Sequence, residues 1–158
     1  MNLPVESTKI VVSKSARRLR LYSGDKLLRT YRVGLGFSPV KDKVTEGDGA
    51  TPEGEFYIFT KNPESAYYLS LGVSYPNTED AERGLRAQLI SEEEYQQIAE
   101  ANRNRTMPPQ STALGGLIYI HGHGSSKDWT WGCVALDDGE MLELFEAVQV
   151  GTKVVIEP

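Results

Sequence analysis

The sequence predicts a mainly β fold with an inserted helical segment and one C-terminal helix. Three observations carry that prediction. Short runs of alternating apolar and polar residues recur between residues 9 and 73, and alternation at period two marks half-buried strands. Between residues 76 and 110 the pattern turns helical, with its own capping signals. After Asp137 a second helical pattern leads into a closing apolar strand.

Taken in order, Lys9–Ser13 reads as a short apolar strand. Arg17–Tyr22 alternates strictly, with Leu19 and Leu21 on one face, and Ser23-Gly24-Asp25 turns the chain so that Leu27–Val33 returns as a hairpin partner. Residues 37–52 lack periodicity and hold Gly47, Gly49 and two prolines; a loop that long inside a compact chain is functional or mobile. Glu55–Thr60 follows as a strand with Phe56 and Ile58 opposed to Tyr57 and Phe59, and Tyr67–Val73 as a further one. Pro76–Asp80 reads as a helix start. Ser91 with Glu94 forms a capping box, and Ile90 with Tyr95 a hydrophobic staple. Tyr95, Ile98, Ala99 and Asn102 then mark a weak apolar stripe, and Met107-Pro108-Pro109 is expected to stop the helix. As a long connection near a candidate site, 76–110 is a candidate substrate lid. Leu117–His121 alternates with Leu117, Tyr119 and His121 on one face and Ile118 and Ile120 on the other. Asp137 caps the last helix with Glu140 at the third position. Met141, Leu142, Phe145 and Val148 form its stripe, Gly151 ends it, and Lys153–Glu157 closes the fold.

A chain of 158 residues is expected to form one domain, 1–158, with an ordinary core, and a monomer. The formal charge of −5 argues against nucleic acid as a partner. Arg17, Arg18 and Arg20 make the densest basic patch, which reads as a solvated face. No apolar run approaches the ~20 residues of a membrane span. Met1–Thr8 is polar with a proline and is not a signal peptide. A single cysteine excludes an internal disulfide.

The chemistry concentrates between Gly115 and Leu136, which hold His121, His123 and the only cysteine, Cys133. A histidine at a strand end and a cysteine on the return segment suit a thiol–imidazole pair, in which imidazolium lowers the thiol pKa. The amides of Gly132 and Cys133 are candidate oxyanion donors. Two rivals stand beside this reading. A lone cysteine is often an inert buried one. His121 and His123, two apart, could join Cys133 and Asp128 or Asp137 at zinc, but no CxxC or HExxH spacing supports a metal, so neither metal nor cofactor is expected.

His121-Gly122 followed by Thr130-Trp131-Gly132-Cys133-Val134 resembles the motif of the L,D-transpeptidase catalytic domain, the YkuD family. Gly34-Leu35-Gly36, Thr51-Pro52-Glu53-Gly54 and the ending Val150–Ile156 are similar to further family features in the same order. The resemblance implies an L,D-transpeptidase-type β-sandwich, with Cys133 as nucleophile, His121 as base, and Thr130, Gly132 and Gly122 as support. His123, Trp131 and Tyr75 are the candidate substrate contacts. The implied reaction is cysteine-dependent acyl transfer on peptidoglycan stem peptides, cleaving the L,D bond after the diamino acid and passing the acyl group to an amine. The alternatives are an L,D-carboxypeptidase or endopeptidase hydrolysing the same thioester, and a non-catalytic wall-binding module. The implied place of action is periplasmic or cell-wall associated, with the export signal trimmed from this chain. Two positions depart from the pattern: Trp131 stands where many relatives have His, and Ala135 where many have Arg or Asn beside the substrate.

Overall fold

The N-terminal alternation becomes three strands, β1 (Thr8–Ser13), β2 (Arg18–Ser23) and β3 (Lys26–Arg32). In this computed structural model, which describes residues 1–158, β1 and β2 pair antiparallel with Ile10 opposite Leu21 and Val12 opposite Leu19. All four side chains are fully buried. One apolar pair in register brings the next in too, because side chains alternate with period two. The final strand of the chain, named β8 below, runs parallel to β1 on its other side and adds Val154 and Ile156 to the same layer.

The next strand, β4 (Gly54–Ser65), turns the sheet. Its start, Gly54–Tyr57, pairs with the final strand, whereas from Ile58 onward it pairs with β5 (Tyr68–Val73). Register shifts fall at Ile58/Thr60 and Asn62/Ser65. Such bulges bend a strand and tighten its twist, so one strand serves two layers. With β6 (Tyr119–His121), β7 (Val134–Ala135) and β8 (Lys153–Glu157) the order is β3-β2-β1-β8-β4-β5-β6-β7. Chain leaving β3 then bridges from Gly34 to Ala135 and from Gly36 to Thr130. The two ends of the sheet meet, and it curls around a core of 24 buried residues. The mainly β class and the enclosed core are as predicted, and the two layers are one continuous sheet.

The inserted segment forms α1 (Thr78–Arg86) and α2 (Glu92–Asn104), each opened by a reciprocal capping box, Asn77 with Asp80 and Ser91 with Glu94. The helices share a small core of Ala81, Ile90, Ile98 and Leu114, against which Tyr95 packs. Helix α2 buries Ile98 and Ala101, so the stripe is rotated from the predicted one through Ala99. It stops at Arg105, which takes a φ of 58°, before the Met107-Pro108-Pro109 stop is reached. The pair docks on β4 through Tyr57, whose single hydroxyl hydrogen is placed between the carbonyls of Ala101 and Thr106.

The last helix, α3 (Asp138–Ala147), buries Met141, Leu144 and Ala147. The predicted stripe is corrected: Leu142 is exposed and Phe145 only partly buried. Asp137 holds the N-cap position but makes no capping bond, because its carboxylate accepts from the amide and hydroxyl of Ser125. The helix ends ahead of Gly151, at Ala147.

Residues 37–52 are irregular, as predicted, and densely tied. Asp48 accepts from the amides of Val44, Thr45 and Ala50 and from Lys43 Nζ. Lys14, buried on β1's exit, sends its ammonium to the carbonyls of Lys41 and Thr51 and to Glu53. A buried ammonium is tolerated only when so satisfied. Lys14→Met is therefore expected to cost about 2–3 kcal/mol, since two carbonyls and a carboxylate lose their donor together. The readout is a lowered urea midpoint with an unchanged slope; an unmoved midpoint would deny these ties any weight.

Candidate active site

Strand β6 sorts its residues by alternation. Ile118, just before it, and Ile120 point into the core, whereas Tyr119 and His121 line a cavity of about 490 Å³. Leu117 lies outside the strand, with a φ of 56°, yet still borders that cavity. On β7, Val134 pairs with Ile120 and Ala135 with His121, which brings Cys133 beside Tyr119. The amide of Tyr119 donates to Cys133 Sγ at 3.3 Å, and Sγ donates to the Leu117 carbonyl at 3.4 Å.

His121 Nδ1 donates to the Gly122 carbonyl at 2.8 Å. A carbonyl only accepts, so Nδ1 carries the hydrogen and Nε2 is the free acceptor of the neutral ring. Tyr67 stacks on the imidazole with centroids 4.6 Å apart, and Trp129 meets it edge-on at 5.6 Å. Trp129 is itself held by a bond from Nε1 to the Gly124 carbonyl. Burial lowers the His121 pKa below its ordinary value; the bond to Gly122 opposes that and nearby His123 adds to it. Burial likewise pushes the Cys133 thiol up to about 11, against the smaller lowering effects of the Tyr119 amide and the Lys43 charge. Both groups of the expected thiol–imidazole pair face one cavity, burial disfavours the charged form of each, and they share no hydrogen bond.

The turn before Cys133 depends on glycine. Gly132 has a φ of 133°, and a Cβ there would stand 2.8 Å from the Ala50 carbonyl. Thr130 Oγ1 donates to the Cys133 carbonyl at 2.7 Å and accepts the Gly132 amide at 3.2 Å. The Gly132 N–H is therefore occupied, against the expectation that it serves as an oxyanion donor, whereas the Cys133 N–H has no partner in the chain. Gly122 is pressed between strand and helix: a Cβ on it would lie 2.5 Å from Asp138 Oδ1 and 3.0 Å from the Tyr67 carbonyl.

The predicted substrate contacts separate. Trp131 stands at the cavity mouth, 72% exposed and edge-on to Phe37. Tyr75 does not reach the rim; it is fully buried and its hydroxyl donates to the Leu114 carbonyl. His123 lies outside the cavity and turns to Asp138, which accepts its amide at 2.8 Å. Ala135 is fully buried, so position 135 offers the cavity no side chain. The zinc constellation does not assemble either. Asp128 is tied to Arg17 and the Leu35 amide, Asp137 to Ser125, and no group of three His, Cys, Asp or Glu side chains is placed to hold a metal ion.

No residue of 76–110 lines the cavity. The opposite wall is the β4–β5 hairpin, with Asn62, Glu64, Tyr67 and, deeper, Ser70. Sequence reading missed this wall because residues 61–66 fell between two predicted strands. Past Thr60 the run Lys61-Asn62-Pro63-Glu64-Ser65 holds no apolar–polar alternation, so periodicity gave no signal for it. Ser70 is paired with His121 across the sheet, a relation only the register reveals.

The family model of the L,D-transpeptidase catalytic domain, YkuD, matches residues 7–156. A putative L,D-transpeptidase YkuD of Bacillus licheniformis is 38% identical over 68 residues, a match covering 40% of this chain and 36% of that protein. The solved structure of the helical cell shape determining protein Pgp2 from Campylobacter jejuni is similar with a TM-score of 0.64 at 21% identity, covering 99% of this chain and 49% of that one. An L,D-transpeptidase from Mycobacterium smegmatis gives a TM-score of 0.58 at 13% identity, covering 96% and 59%. At those identities the two structures speak for the fold, and the chain spans less than two thirds of either. The family model runs through the strands, the curled core and the histidine–cysteine cavity alike, and by it the chain belongs to the L,D-transpeptidase catalytic domain family, YkuD.

Proposed function

We propose that this chain carries out cysteine-dependent acyl transfer on peptidoglycan stem peptides, outside the cytoplasmic membrane. No helix is long and apolar enough to cross a membrane. The observation that carries the reading is the joint opening of Cys133 and His121 on one cavity, with Nε2 left as the ring's free acceptor by the Gly122 carbonyl.

The chemistry follows from the resting state. A thiol near 11 and an imidazole below its ordinary value keep the proton on sulfur until substrate arrives. Cys133 Sγ attacks the carbonyl of the diamino acid as His121 Nε2 takes the thiol proton, a general-base step. The Cys133 amide, free of protein partners, faces the developing oxyanion. The tetrahedral intermediate collapses as His121 returns its proton to the departing amine of the terminal D-amino acid, leaving a thioester on Sγ. An acceptor amine then attacks that thioester. Its proton passes through His121 back to Sγ, which frees the thiol and leaves the new amide. Water in place of the amine gives hydrolysis by the same steps.

Incubation with purified tetrapeptide muropeptides, followed by mass spectrometry, tests the reading. Dimers joined between two diamino acids, or exchange of the terminal D-alanine for an added D-amino acid, are expected. Tripeptide alone, with excess D-amino acid present, would make the chain an L,D-carboxypeptidase. An untouched tetrapeptide would end the enzymatic reading.

A further inference from the structure

The cavity wall is electrically lopsided. Among its lining residues Glu64 alone carries a formal charge at neutral pH, once His121 and the Cys133 thiol are neutral, and no lysine or arginine lines it. The nearest basic residue along the chain, Lys61, is drawn elsewhere: its ammonium donates to the Val148 carbonyl and lies 4.5 Å from the centre of the Phe145 ring. Glu64 itself makes no ion pair or side-chain hydrogen bond within the chain. Its backbone is nonetheless fixed, because its amide donates to Asn62 Oδ1 at 2.9 Å and the next turn is tied by the Tyr67 amide to Ser65 Oγ. Across the cavity the rim is apolar, formed by Leu117 and Trp131, both exposed.

We propose that Glu64, on the β4–β5 hairpin, is a specificity-determining residue that receives the distal ammonium of the diamino acid's side chain. This rests on the stem-peptide reading above. The stem's other charged groups near the scissile bond are carboxylates, and a wall with one carboxylate and no cation repels them. The diamino acid's ammonium is the complementary group. Seating it on the hairpin sends the terminal D-amino acid, with its carboxylate, toward the Leu117–Trp131 side. Glu64 thereby orients the stem without touching the reacting atoms.

Binding to Cys133→Ala protein, which cannot turn over, isolates the effect, with the fluorescence of Trp129 and Trp131 as the signal. The probes are three stem tetrapeptides with lysine, Nε-acetyllysine or Nε,Nε-dimethyllysine at the third position. Glu64 is exposed, so the expected loss on acetylation is about twofold to fivefold, with the dimethylated stem, which keeps its charge, binding like lysine. About 0.5 M added salt should shrink the difference, and Glu64→Gln should erase it. An acetylation penalty that persists in Glu64→Gln, or no penalty in the parent, overturns the assignment of Glu64 while leaving acyl transfer standing. Failure of all three stems to bind, with wild-type protein leaving tetrapeptide uncleaved, takes down both readings together.

Discussion

Cys133→Ala is expected to abolish turnover of stem tetrapeptides, and His121→Ala to slow it by about 10³-fold, the usual worth of a positioned general base. The thiol and His121 open on the same cavity: β6 and β7 are neighbours, and Tyr119 of β6 already bonds to Sγ. Loss of Sγ removes only two long bonds at 3.3 and 3.4 Å, so both variants should keep the wild-type circular dichroism spectrum. His121→Gln is the sharper control. It keeps a donor for the Gly122 carbonyl but cannot carry a proton, and should remain as slow as alanine. His123→Ala should retain activity, since that ring lies outside the cavity. Full activity in Cys133→Ala would end the nucleophile assignment, and full activity in His121→Gln would reduce His121 to a packing residue.

The unliganded thiol should be sluggish at neutral pH and quicken steeply in base. With its pKa pushed up to about 11 by burial, Cys133 is almost wholly protonated at pH 7. Alkylation by iodoacetamide depends on thiolate, so its rate should climb by about tenfold per pH unit, roughly a thousandfold between pH 7 and pH 10. His121→Ala should leave that profile nearly unchanged, because no imidazolium holds the thiolate in the free protein. Catalysis should behave differently. The His121 pKa is lowered below 6.5, so the neutral base is present throughout the neutral range and activity should fall only as pH drops below that value. A labelling plateau near pH 7 that disappears in His121→Ala would restore the ion pair and refute this account of the resting state.

The helix start at Pro76–Asp80, the Ser91–Glu94 capping box, the strands β1, β2 and β4, and the closing strand were readable in the sequence, because each depends on residues a few positions apart. So was the candidacy of His121 and Cys133, from the order of residues around them. Helix faces were read less well: Leu142 and Ala99 were assigned inward, and packing against the sheet turned Leu144 and Ala101 inward instead. What only the tertiary structure decided concerns partners far apart in the chain. Lys14 ties down residues 41 and 51, and Tyr57 docks the inserted helices through Ala101 and Thr106. The register that sets Ser70 beside His121 places the hairpin, and with it Tyr67 and Glu64, across from the thiol. The protonation states of Cys133 and His121 belong to the same class. A motif names which groups can exchange a proton, but where the proton rests is set by desolvation, and desolvation is the sum of whatever the fold packs around each group.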